Sequence, residues 1–185
     1  SASASASASA APVVEDGALF LPGRTSIDVV NAGGAMDVFV SSVFVDEATK
    51  GRMGSVQLQM FFMSEHSLSS DNYFFPSQSG GGGRMKMLPV NFSTHMLASD
   101  KLLNELSDEI QMEEEGFSLS VLVQDGTTGE NIGRANVNLW RMIEDSCNIL
   151  RQEVDIISVS GSAGAVIGSI IIDVRGFPLL KAATP

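Results

Sequence analysis

Five aspartates lie at or near the ends of segments in which apolar and polar residues alternate: Asp37, Asp46, Asp71, Asp125 and Asp173. Carboxylates brought together at strand ends are what a calcium site is made from. The ion takes six to eight oxygen ligands, with several carboxylates converging on it. The best placed is Asp125, which enters the loop Asp125–Asn131. That loop offers Asp125 and Glu130 but has Gly126 and Thr127 directly after the first aspartate, so a carboxylate pair aimed at one ion is hard to build. Aspartate beside glycine also suits a turn for backbone reasons alone. Asp37 and Asp173 fall inside strand patterns, at positions expected to face solvent. No metal ligand is assigned, and calcium-dependent binding is not expected.

Other chemistry finds less support. His66 and His95 are the only histidines, and neither has a metal-spaced partner in the sequence. Cys147 is the only cysteine, with no base beside it, and the pattern around it suggests a small buried thiol. The glycine run Gly80–Gly83 precedes Arg84 rather than Gly-Lys-Ser, so it is not a phosphate loop. Gly161, Gly164 and Gly168 lack dinucleotide-binding spacing and precede a strand. No catalytic or cofactor-binding residue is assigned, and the chain is read as a non-enzyme. The segment from Asp100 to Glu115 carries seven carboxylates and one lysine. It is either a solvated helix face or a docking ridge for a basic partner.

The net charge is −11, with 22 acidic and 11 basic residues. The basic residues are scattered, so no stripe follows a phosphate backbone and nucleic acid is excluded as a partner. The same balance disfavours anionic membranes. A single cysteine forbids an internal disulfide and points to a reducing, intracellular compartment. No apolar run approaches the roughly 20 residues of a membrane span, and no signal peptide is recognised. The chain starts within a Ser-Ala repeat without an initiator methionine, which reads as a processed chain or a piece of a longer protein.

The elements that must position these residues are mostly strands. Residues 1–24 read as a low-complexity Ser/Ala linker and transition, with LFLPG docking on the domain that follows, 25–181. Strands are expected over Ser26–Val30, Met36–Val45, Ser55–Met63, Met85–Met96, Ser118–Gln124, Arg134–Trp140, Ile149–Ser158 and Val166–Arg175. Pro89 implies an edge or a bulge, and Ser77–Gly83 reads as a mobile loop. One helix is clear, Asp100–Ile110, capped by Ser99 with an apolar stripe of Leu102, Leu103, Leu106 and Ile110. A second, short helix is read at Met142–Ile143, with Trp140 packing against it. The fold class is all-β: an antiparallel β-sandwich of about eight strands with one or two short helices. Its expected core includes Val121, Val123, Ile132, Val137, Leu139, Ile156, Ile170 and Ile172.

The stretch LSVLVQDGTTGENIGRANVNLW, Leu119–Trp140, resembles the part of a C2 domain where one strand enters a metal loop and the next leaves it. A calcium-dependent C2 domain would place a second aspartate at the position of Thr127. Further motifs narrow the resemblance: Ile132-Gly133, Leu139-Trp140, Met142–Ile143, the run Asn148–Ile156 (NILRQEVDI), and Ile167-Gly168, with Met87–Met96 upstream. In order and spacing they resemble the C-terminal C2-like domain of the retinitis pigmentosa GTPase regulator-interacting proteins. Coverage is good from about Met85 to Leu180. The departures are the Gly80–Gly83 loop and the lack of a longer acidic insert before Ile132. The resemblance implies a non-catalytic interaction module within a scaffold of the ciliary transition zone or axoneme. Its implied partner is a β-propeller or another ciliary protein. No partner-contact residue is transferred, and oligomeric state is left open. The alternative is a lipid-binding C2 domain, calcium-dependent or peripheral.

Overall fold

Residues two apart share one face of a strand, and in this chain such positions are consistently apolar where the strand meets the core. The computed structural model describes residues 20–63, 66–76 and 85–185. The expected loop Ser77–Gly83 and most of the expected linker lie outside them. In order, the described elements are β1 (Leu21–Pro22), α1 (Ile27–Asn31), β2 (Ala35–Asp46), α2 (Glu47–Lys50), β3 (Val56–Phe62), β4 (His66–Tyr73) and β5 (Met85–Leu97). They continue with α3 (Asp100–Glu113), a 3-10 turn (Glu114–Gly116), β6 (Ser118–Asp125), β7 (Asn131–Asn138), α4 (Trp140–Glu144), β8 (Ile149–Ser158), β9 (Val166–Arg175) and α5 (Phe177–Ala183).

All strand pairings are antiparallel, in the order β1-β5-β2-β9-β8-β7-β6-β3-β4. The sheet turns a corner between β8 and β7, which share only the pairs Gly133↔Ser158 and Arg134↔Ile157. Beyond that corner the two halves face each other across one core. Thr94 on β5 donates a hydrogen bond to the sulfur of Met60 on β3, strands far apart in the sheet order. Phe62 meets Phe20 and Phe117 at ring-centroid distances of 6.3 and 5.7 Å. The result is the expected antiparallel sandwich, with all eight expected core residues buried.

β2 shows how the sequence pattern and the register agree. Met36, Val38 and Val40 are buried, then Val43 and Val45, so the inward parity changes within one strand. Pairing skips from Val40 to Ser42 against both neighbours, and Ser41 is the extra residue relative to β9. The bulge absorbs one residue and returns the chain to the core. On β5 the irregularity lies between Phe92 and Pro89. There, among the described residues, β5 has β2 on one side and no strand on the other, which is where proline is tolerated.

The two Ile-Gly pairs have a steric origin. A Cβ on Gly168 would collide with the carbonyl oxygen of Phe44 on β2, and one on Gly133 would meet Ile156, Ile157 and Ile167 at the corner. Only glycine lets the backbones approach this closely.

Several expectations are corrected. Ser26–Val30 is not a strand: Ser26 Oγ accepts the Asp28 N–H at 3.3 Å and opens α1, which ends at Gly33 with φ +77°. β4 was not read as a strand. β7 stops before Trp140, because Asn138 Oδ1 accepts the Trp140 N–H at 2.9 Å and turns the chain into α4, of which Trp140 is the first residue. Five α-helices are present among the described residues, and α3 is 14 residues long rather than short. It is capped by Ser99 and buries Leu102, Leu106 and Ile110. Phe20 is buried and Leu21–Pro22 pair with β5, so the end of the transition docks as expected.

Substituting Ile172→Asp places an unpaired charge in this core and is expected to lower unfolding stability by about 4 kcal/mol or more. Gly168→Ala should cost about 3 kcal/mol through backbone displacement. Urea unfolding followed by tryptophan fluorescence measures both, and a midpoint unchanged by either substitution would contradict the register given above.

Candidate interaction surface

The five aspartates are not brought together; four of them hold separate pieces of structure. Asp46 caps α2 by accepting the Thr49 N–H at 2.7 Å. Asp37 is buried, not solvent-facing as expected. Arg24 and Thr25 fold over its face of the sheet: Thr25 N–H donates to Oδ1 at 3.2 Å, Arg24 Nε lies 3.9 Å from Oδ2, and the Arg24 guanidinium rests over the Phe39 ring. Asp173 accepts the backbone N–H of Arg151, a residue held at φ +50°, and stands 3.9 Å from Arg175. Asp71 is exposed near the end of β4. Among the described residues no three His, Cys, Asp or Glu side chains converge as metal ligands do.

Asp125 is only 3% exposed and takes five donations. Its Oδ1 accepts the N–H groups of Gly54 (3.2 Å), Ser55 (3.5 Å) and Thr127 (3.1 Å). Its Oδ2 accepts the Thr128 hydroxyl at 2.9 Å. The backbone N–H of Asp125 meanwhile donates to Glu130 O, and its C=O accepts the Gly129 N–H. Thr127, where a metal loop would carry its second acid, donates to the first one instead. Burial opposes the charged carboxylate, but the hydrogen bonds from Thr127, Thr128, Ser55 and Gly54 outweigh it and hold the carboxyl below its usual range. Asp125 therefore ties the β6–β7 loop to the start of β3.

The remaining candidates are also engaged structurally. His95 Nδ1 lies 2.9 Å from Gly23 O and so fastens the segment after β1. His66 Nε2 lies 3.4 Å from Glu105 Oε2, joining β4 to α3. Cys147 is exposed, contrary to expectation. Ser146 at φ +53° turns the chain outward after α4, while the Cys147 N–H stays bonded to Met142 O.

What the fold does assemble is a concave acidic surface. A cleft of about 340 Å³ lies between α3 and the strands β3, β6 and β7, with Phe61, Met63, Glu109, Glu113 and Arg134 among its walls. It adjoins a second cleft of about 220 Å³ bounded by Met63, His66, Glu105, Asp108 and Glu109. Burial, followed by repulsion from Glu113, pushes the Glu109 carboxyl above its ordinary range. The acidic run was visible in the sequence. Its apolar floor at Phe61 and Met63 was not, because it depends on where α3 crosses β3. An excess of acidic charge over such a surface speeds encounter with basic partners, an effect that weakens with salt.

The Asp125 arrangement predicts a pH response. A folded-state pKa below the unfolded value, near 3.9, gives stability that is fully present above that value and lost as pH falls through the folded one. Asp125→Ala should cost roughly 2 kcal/mol at neutral pH. Asp125→Asn should flatten the acid limb of the stability profile. Denaturant titrations from pH 7 down to pH 2 check both, and an unaltered acid limb in the Asn variant would refute the assignment.

Two solved structures are similar in outline. One is a C2 domain-containing protein from a putative elicitor-responsive gene, 14% identical, with a TM-score of 0.49 over 77% of this chain and 87% of that one. The other comes from the work described as "CC2D1B coordinates ESRCT-III activity during the mitotic reformation of the nuclear envelope". It is 12% identical, with a TM-score of 0.48 over 88% of this chain; the match covers 65% of that chain's own length. No curated protein matches this chain. A sequence profile does match, over residues 90–184, just over half of the chain. It spans most of β5, then α3 and every later element, and it is described as retinitis pigmentosa G-protein regulator interacting C-terminal, the family to which this chain belongs.

Proposed function

We propose that this chain is a non-catalytic protein-interaction module, a C2-like sandwich serving a larger scaffold of the cilium at its transition zone or axoneme. The observation that carries the reading is the family match over residues 90–184. The partner proposed is a protein, of which a β-propeller of the retinitis pigmentosa GTPase regulator type is the first to test. The side chains most able to do chemistry support this reading. Asp125, His66 and His95 each hold a loop or strand in place. The acidic clefts beside α3 suit a basic protein surface better than a small anionic substrate. A calcium bridge to lipid is disfavoured by the internal donors around Asp125 and by a net charge of −11.

Two measurements test the proposal. Calorimetric titration against the regulator's purified propeller should give a one-to-one complex whose affinity falls as salt is raised. Flotation with phosphatidylserine vesicles should recover no protein, with or without calcium. Absence of propeller binding together with calcium-dependent flotation would reverse the assignment in favour of a lipid-binding C2 domain.

A further inference from the structure

The corner of the sheet leaves one side of β8 open. β9 pairs with β8 along one edge, whereas β7 reaches only Ile157 and Ser158 on the other. The directions of the backbone groups follow from neighbouring bonds. Ser158 N–H donates to Ala165 O, and Ser158 O accepts from Gly164, so both groups point toward β9. Val159 N–H donates to Ile132 O, on the β7 side. The register shift at Ile156/Ile157 skips Ile167 of β9 and no residue of β8, so alternation along β8 turns the N–H and C=O of Glu153 and Asp155 toward the same side as Val159, away from β9. Among the described residues no strand pairs with them there.

The other exposed edges are blunted. β5 carries Pro89, and β1 covers it at Thr94 and His95. β4 is irregular between its pairs with Gln57 and Gln59, and the Ser70 hydroxyl takes the N–H of Leu58. Tyr73 of β4 and Asn91 of β5 line one cleft between the two strands. From Gln152 to Ile156, β8 has neither proline nor bulge.

We infer that this edge of β8 accepts an extended segment of a partner protein as an added strand, with basic side chains placed opposite Glu153 and Asp155. The inference rests on the protein-interaction reading above and names a surface and a partner chemistry for it. Main-chain bonds to Glu153 and Asp155 would supply the pairing common to strand addition. Their side chains are exposed on one face, so oppositely charged residues across the ladder are favoured and like charges penalised. Arg151 and Arg134 stand at the two ends of the open stretch and limit the preferred basic residues to its centre. At the start of the edge, a cleft of about 300 Å³ beside α4, with Met142, Ile149 and Leu150 in its walls, can receive an apolar side chain.

The test uses three ten-residue peptides titrated into isotope-labelled protein: alternating lysine and valine, alternating glutamate and valine, and the lysine-valine peptide with its lysine backbone nitrogens methylated. Amide hydrogen exchange at Glu153 and Asp155 is the readout. The lysine-valine peptide should protect both amides and the other two should not, since one repels and the other has lost the main-chain donors that would face Glu153 and Asp155. The double variant Glu153→Lys/Asp155→Lys should weaken that peptide by about tenfold and gain affinity for the glutamate-valine peptide. Because Glu153 also accepts the Ser169 hydroxyl, Asp155→Lys alone serves if the double variant melts early. Protection on α3 instead, equal protection by the N-methylated peptide, or no protection at Glu153 and Asp155 overturns the inference. Propeller binding that persists in such a case leaves the interaction reading standing. Peptide protection without propeller binding removes the assigned partner and keeps the edge.

Discussion

The close passage of backbones at the β7–β8 corner governs much of this molecule. Two residue pairs join the halves of the sheet there, and Gly133 lets Ile156 and Ile167 close over the turn. The remaining cohesion between the halves comes from side chains in one shared core. Hydrophobic burial is non-directional, so it cannot by itself fix the angle between two sheets. A narrow hinge of fixed register can. Gly168 makes the complementary demand on the other side of β9, where its backbone lies against Phe44. The exposed edge of β8 is the geometric remainder of the same hinge.

The loop between β6 and β7 illustrates how a buried carboxylate is satisfied by neutral donors. Asp125 collects N–H and O–H groups that come from two separated parts of the chain. Gly126 permits the approach, since a Cβ there would strike Asn72 and Ser55. The loop is thus built around one negative charge satisfied by neutral dipoles. Polar groups handled in this way cost little when buried and much when left alone.

Much of this was legible in the sequence because it is local or periodic. Ser99 and the spacing of Leu102, Leu106 and Ile110 specify α3 without reference to the rest of the fold. The period-2 residues of β6 and β9 marked the core for the same reason. β4 escaped notice because HSLSSDNY has almost no apolar alternation; its extended form is imposed by pairing with β3. α1 was obscured because Ile27, Val29 and Val30 fit a strand as well as a helix, and the signal that separates them is the Ser26 cap. Asp37 sits on the outer face of β2, as parity requires, yet it is buried because Arg24 and Thr25 return over it. The cleft beside α3 lay beyond sequence reading for a related reason: acidic residues of the helix meet Phe61 and Met63 only through long-range packing.

The bulge in β2 has a consequence for how this strand tolerates change. Ser41 divides twelve residues into two runs whose inward positions fall on opposite parity. Deleting Ser41 would bring the runs into one frame. Val43 and Val45 would then follow Met36, Val38 and Val40 at even spacing and still face the core, with Ser42 and Phe44 on the outer face. In inheritance, then, Ser41 can be lost without turning either half of β2 inside out, and what goes with it is the local bend and twist that the extra residue gives the strand.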